Sequence, residues 1–299
     1  VFKLSHRRQR TIARSAVVTG HGLLNGRDVL VRFRPADPGT GLVFVRIDLP
    51  GRPSVPAVAA AVSGTARRTT IGQGPAAVSV TEHVLAALAG LRIDNCRIEI
   101  DGPEPPGLDG SALGFVEALL DAGIDAQNAR TTVWGVESTI TLKAGGATLA
   151  LHPADNDDLT ISYLLDYGPR SPIARQCHTQ VITPGEFAEA IAPCRTFLLE
   201  REAAEIRAAG LALRTTARDV LVFGERGPID NELRWANEPA RHKILDIVGD
   251  LALCGLDVRG HVVAYRSGHP LNARLAAEIT HRYEAVTGRP ARNLFRMAA

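Results

Sequence analysis

Three residues at helical spacing, His242, Asp246 and Asp250, carry the strongest chemical signal in the chain. They lie in Arg241-His242-Lys243-Ile244-Leu245-Asp246-Ile247-Val248-Gly249-Asp250-Leu251. A spacing of four is slightly over one helical turn, so all three share a face. Ile244, Leu245, Val248 and Leu251 supply apolar surface beside that face and predict a buried helix. A His and an Asp one turn apart can both reach a single metal ion. The same spacing equally suits a buried His–Asp hydrogen bond with Asp250 in solvent. Taken alone, the segment leaves both readings open.

Ser79-Val80-Thr81-Glu82-His83 is a second candidate, also with two readings. Ser79 and Glu82 fit a capping box, in which each side chain satisfies a free N–H at a helix start. Alternatively, His83 is a third metal ligand and Glu82 moves protons beside the metal. A third candidate is His269, in the Gly/Pro loop Ser267-Gly268-His269-Pro270-Leu271-Asn272. A loop His is by default a surface residue, but this one follows an apolar strand, Val262 to Tyr265. Cys194-Arg195-Thr196-Phe197 is a fourth, uninformative in isolation.

The elements that must position these residues are legible in outline. Thr11 to Thr19, Val29 to Arg34, Gly41 to Asp48 and Arg97 to Asp101 read as strands. Ser79 to Gly90 and Ser111 to Ala122 read as helices, the second stopped by Gly123. The run from Leu88 to Ile100 reads helix end, glycine, turn, strand, and the run from Leu253 to Tyr265 repeats that grammar. Each is followed by a Gly/Pro loop and another helix. The duplication predicts two tandem related domains, 1–127 and 128–299, divided in the polar stretch Asp125 to Arg130. Runs of strands with helices grouped beside them predict an α+β layered architecture and not a parallel doubly wound sheet.

Composition narrows the function classes. The 299 residues carry a net charge of +2, too small to argue for nucleic acid. No apolar run is long enough to span a membrane. The basic start, including His6-Arg7-Arg8-Gln9-Arg10, lacks the apolar core of a signal peptide and reads as a solvated strand end. The four cysteines, Cys96, Cys177, Cys194 and Cys254, show no CxxC pair. A cytoplasmic protein is therefore expected, and any metal it binds should have His and carboxylate ligands.

Taken together, these segments resemble one family, the UDP-3-O-acyl-N-acetylglucosamine deacetylases. The resemblance is carried by Ser79 to His83, by Gly90-Leu91-Arg92-Ile93-Asp94-Asn95, and by Pro103-Glu104-Pro105-Pro106-Gly107-Leu108-Asp109-Gly110-Ser111. It continues through Arg195-Thr196-Phe197, Arg241 to Asp250, and Ser267 to Asn272, in the family's order, from about residue 8 to residue 283. The resemblance implies an α+β fold of two tandem related domains, each a mostly antiparallel sheet layered on helices, with the active site between them, and it implies zinc, one ion per chain, held by His83, His242 and Asp246. It implies Glu82 as general base, His269 as general acid and Asp250 as the carboxylate that orients and charges that His. Thr196 matches a residue beside the developing oxyanion. Phe197 and Lys243 match residues that hold the sugar nucleotide. The implied partner is a UDP-linked acylated amino sugar, met by a monomer in weak peripheral contact with a membrane. The chain departs from the family's usual pattern at Leu24, at Leu165-Asp166-Tyr167-Gly168-Pro169 and at Arg214-Thr215-Thr216-Ala217-Arg218. None of these is an implied ligand or acid–base residue.

Overall fold

The computed structural model describes residues 1–154 and 157–291. The first half contains β1 (Phe2–Ile12), β2 (Ala16–His21), β3 (Asp28–Pro35), β4 (Leu42–Arg46), β5 (Ser54–Pro56), β6 (Val62–Gly64) and β7 (Thr70–Ile71). It continues with α1 (Glu82–Gly90), β8 (Cys96–Ile100) and α2 (Leu113–Asp121). β9 (Ile124–Gly135) leads into β10 (Ile140–Ala144), β11 (Ala147–His152), β12 (Leu159–Leu165), β13 (Gln176–Val181) and a single turn, α3 (Pro184–Glu186). Next come β14 (Phe197–Leu199), α4 (Glu200–Ala208), β15 (Leu221–Gly224) and β16 (Gly227–Pro228). The last elements are α5 (Glu238–Ala252), β17 (Asp257–Val258), β18 (Gly260–Tyr265) and α6 (His269–Thr287).

The duplication read in the sequence is visible in the sheets. One five-stranded sheet has the order β2-β3-β8-β4-β5, and the other has β10-β11-β18-β12-β13. In both, the strand that follows the central helix inserts between the second and third strands. It pairs parallel to one neighbour, β4 or β12, while the other pairings are antiparallel. Alternation does the sorting: Val29, Val31 and Phe33 of β3 are buried and their neighbours are not. The architecture is α+β, with sheets layered on helices.

The equivalent helices α1 and α5 pack on each other at the centre. Val84, Leu85, Ala86, Ala87 and Leu88 of α1 are fully buried, as expected of a helix that is apolar on every side. The two helices approach closely because position 249 is glycine. A Cβ there would collide with the backbone carbonyl of Glu82.

Several boundaries differ from expectation. The strand expected over Thr11 to Thr19 is two strands in two sheets. The chain turns at Ala13 and Arg14, whose N–H groups bond to the carbonyls of Gly123 and Ala122 after α2. The polar stretch Asp125 to Arg130 lies inside β9, paired with β1, so the chain passes between the halves along a strand. Arg7 is no free surface cation. Its guanidinium bonds to Asp94, after α1, at 2.7 and 2.8 Å and to Asp257, which begins β17 after α5. His269 opens α6 instead of sitting in a loop, and it is buried.

Candidate active site

α1 and α5 bring their chemical residues together at one end of their contact. α5 presents His242, Asp246 and Asp250 on one buried face, as the spacing predicts. Asp250 is fully buried, which removes the reading in which it faces solvent. The first turn of α1 presents Glu82 and His83 to that face. Ligand atoms of His83, His242 and Asp246 lie within 4.8 Å of one another, the one such group among the described residues. The two imidazoles meet edge to face, with centroids 5.2 Å apart.

The hydrogen bonds fix the chemical state of these groups. Nδ1 of His242 donates to the carbonyl of Cys194 at 2.9 Å, since a carbonyl can only accept. That leaves Nε2 as a lone pair facing the cluster, 3.4 Å from Asp246 Oδ1. Burial, and then the neighbouring His242, push His83 down to about 3. Burial likewise lowers His242. Both rings are neutral and able to ligate. Burial raises Asp246, but Lys243 and the nearby His242 outweigh it and hold the carboxyl well below its usual range. Lys243 Nζ sits 2.5 Å from Asp246 Oδ2. Two neutral imidazoles and one carboxylate form a donor set suited to a borderline-soft divalent ion such as zinc.

Glu82 and His269, the candidate base and acid, lie beside this cluster. Thr81, not Ser79, precedes α1, and no side chain caps the helix. The capping box is absent: Ser79 Oγ accepts from Arg68, and the Glu82 carboxylate accepts from the Thr69 N–H at 3.0 Å. Burial raises Glu82 to about 7, against the opposing pull of His269. His269 Nε2 lies 4.0 Å from Glu82 Oε1 and 3.9 Å from Asp246 Oδ2. Its Nδ1 donates to Asp250 Oδ2 at 2.9 Å. Burial lowers His269, but Asp250, Asp246 and that hydrogen bond raise it to about 9. Titrating near 7 and 9 and 4.0 Å apart, these two groups could serve as a base and an acid beside the cluster.

A cavity of about 850 Å³ opens over these groups. Thr196 lines it, its N–H anchored to Gly110 O at 2.7 Å. Phe197 stacks edge-on against His242, Tyr167 and Phe223. Lys243 lines the same space, as do Leu24, Tyr167 and Thr215 from the segments with unusual sequence. One wall is apolar, formed by Leu198, Ala203, Val220 and Val222. Arg67, Arg201, Arg207 and Arg266 line the cavity elsewhere.

Three features of the site escaped the sequence reading. Thr69 touches Glu82, Asp250 and His269 together, and nothing in Arg67-Arg68-Thr69-Thr70 signals that. Asn272 donates to Asp250 Oδ2 at 2.9 Å. It belongs to the Ser267 to Asn272 segment, where a buried polar residue after the His was the available hint. Arg195 and Glu238 form a buried ion pair at 2.8 Å that ties the Thr196 segment to the start of α5.

Comparison with known proteins agrees with this geometry. The family model described as UDP-3-O-acyl N-acetylglycosamine deacetylase matches residues 9–281. The UDP-3-O-acyl-N-acetylglucosamine deacetylase of Trichormus variabilis is 41% identical over 277 residues, covering 91% of this chain and 98% of that protein. The protein of the same name from Chlamydia abortus is 38% identical over 275 residues, covering 91% and 97%. The bifunctional enzyme LpxC/FabZ of Chlorobaculum tepidum is 37% identical over 299 residues, covering 91% of this chain and 64% of that protein.

Proposed function

This chain belongs to the UDP-3-O-acyl-N-acetylglucosamine deacetylase family, and we propose that it hydrolyses the 2-acetamido group of UDP-3-O-acyl-N-acetylglucosamine. The products are acetate and UDP-3-O-acyl-glucosamine, and the reaction is the committed step of lipid A synthesis. The observation that carries the reading is the buried cluster of His83, His242 and Asp246, flanked by Glu82 and His269 at the floor of one cavity.

His83, His242 and Asp246 would hold one zinc ion per chain, with His242 offering Nε2. Zinc held by three protein ligands supplies Lewis acidity that polarises an amide carbonyl and acidifies water at neutral pH. The chain's own groups do the rest. Glu82 takes the proton from the attacking water as it adds to the acetamide carbonyl. The Thr196 hydroxyl donates to the oxyanion that develops, a contribution of about 3 kcal/mol for a well-placed donor. Asp250 orients His269 and keeps it cationic, and His269 Nε2 hands its proton to the leaving nitrogen as the C–N bond breaks. Lys243 and Phe197 hold the sugar nucleotide, and the apolar wall takes the acyl chain.

The remaining aspects of the proposal follow from the same features. The matching strand orders support reading 1–127 and 128–299 as two domains. Among the described residues no helix is long and apolar enough to cross a membrane. The absence of a CxxC pair from the sequence supports work in the reducing cytoplasm. There, a monomer meets its acylated substrate through weak contact with the membrane surface.

Metal content and acetate release, measured together on wild type and His242→Ala purified without chelator, test the proposal. About one zinc per chain is expected, lost in the variant together with turnover. Zinc-loaded wild type that releases no acetate from the acylated UDP-sugar would refute it.

A further inference from the structure

We infer that Thr69 is a positioning residue that holds the base and the acid of this reaction in one register; the inference rests on the deacetylase reading above. Thr69 is completely buried, and its three polar groups all serve the same site. Its N–H donates to Glu82 Oε2 at 3.0 Å. Its hydroxyl donates to Asp250 Oδ1 at 2.5 Å, and the same oxygen lies 3.3 Å from His269 Nδ1. Its carbonyl accepts from both the N–H and the hydroxyl of Thr81, the residue before Glu82, at 3.2 Å each. A residue that merely filled space would not divide its polar groups in this way.

The assignment of donors follows from chemistry. Asp250 Oδ2 already accepts from His269 Nδ1 and from Asn272, each at 2.9 Å. A carboxylate only accepts, so the Thr69 hydroxyl is the donor to Oδ1. Removing that hydroxyl leaves a buried carboxylate oxygen without its partner. The carboxylate then gains by rotating about its own bond, and His269 is tied to the other oxygen. The Glu82 contact is unlike this one, because it comes from the Thr69 backbone and survives a side-chain change. Thr69 also sits at the foot of the short β6–β7 hairpin, whose strands span only three and two residues. Pairing that short sets position weakly, so the contacts themselves must fix Thr69.

Thr69→Val is nearly isosteric and removes only the hydroxyl; Thr69→Ser keeps it. We expect Thr69→Val to lower kcat by about 10- to 100-fold, the usual effect of removing a hydrogen-bonding support from an active-site ligand. KM should stay within about twofold, since the substrate is still bound, and Thr69→Ser should recover most of kcat. Metal content should equal that of wild type in every variant. In an Asp250→Asn background, Thr69→Val should cost little more, because the two residues act through one contact. The inference is overturned if Thr69→Val turns over like wild type, if Thr69→Ser is as poor as Thr69→Val, or if the losses add fully with Asp250→Asn. Where Thr69→Val does not fold, Thr69→Ala against Thr69→Ser is judged by the same three criteria. Wild type that releases no acetate overturns the deacetylase reading and this inference with it; active wild type beside an equally active Thr69→Val overturns this inference alone.

Discussion

Replacing Glu82 by glutamine should abolish turnover and, at the same time, make the metal-stripped protein more stable above neutral pH. Glutamine keeps the volume of the side chain, and its amide oxygen can still accept from the Thr69 N–H. What it removes is the charge and the ability to take a proton. A positioned base contributes about 100- to 10,000-fold, so turnover should fall by at least about 100-fold. The stability effect comes from burial, which raises the Glu82 carboxyl from 4.5 to about 7. The unfolded chain gives up this proton near pH 4.5 and the folded chain only near 7, so folding loses stability as pH rises between them. At 1.36 kcal/mol per pH unit, the full cost above pH 7 is about 3 kcal/mol. Glu82→Gln escapes that cost at pH 8 and gains nothing at pH 4. Urea unfolding of metal-stripped wild type and variant at several pH values reads the difference, and single-turnover acetate release on loaded protein reads the chemistry. A variant that retains turnover within tenfold, or that is less stable than wild type at pH 8, would refute the reasoning.

Further outcomes are expected for the pH dependence and for one buried ion pair. The pH–rate profile should be bell-shaped, with a basic limb near the His269 value of about 9 and an acidic limb below the Glu82 value of about 7, because a bound cation favours the ionised carboxylate. Asp250→Asn removes the largest influence raising His269 and should move the basic limb to lower pH; a basic limb that stays in place would separate it from His269. Arg195→Met leaves the fully buried Glu238 without its counter-ion and should cost about 3–5 kcal/mol in urea unfolding. The companion change Glu238→Leu should recover part of that, and a loss in Arg195→Met below about 1 kcal/mol would mark the pair as dispensable.

What the sequence disclosed depended on the distance over which each signal operates. The i, i+4 spacing of His242, Asp246 and Asp250 is a local property of a helix, and α5 displays it as read. The repeated grammar around Gly90 and Gly255 is also local, and it led to the matching sheets. Glu82 was ambiguous because a capping box and an active-site carboxylate share one local pattern. The contact with Thr69, at a helix start that no side chain caps, removed the capping box. Thr69 itself lies 181 positions from Asp250, and Arg195 lies 43 from Glu238. Such pairs leave no periodic trace, since neither partner's neighbours constrain the other. His269 was read as a loop residue because Gly268 and Pro270 flank it. Proline is favoured in the first turn of a helix, and here Pro270 lies in the first turn of α6, directly after His269.

The two halves share a strand order, yet their central helices contribute different groups to the site. α1 gives a carboxylate and one imidazole at its first turn, whereas α5 gives an imidazole and two carboxylates spread over about two turns. Two identical chains related by a dyad would present every such group twice, and each copy would be bound by the same sequence. Joining the copies in one polypeptide lifts that constraint, since each can then change alone. Asymmetry of this kind suits a reaction with a direction, in which water arrives on one side of a carbonyl and an amine departs on the other.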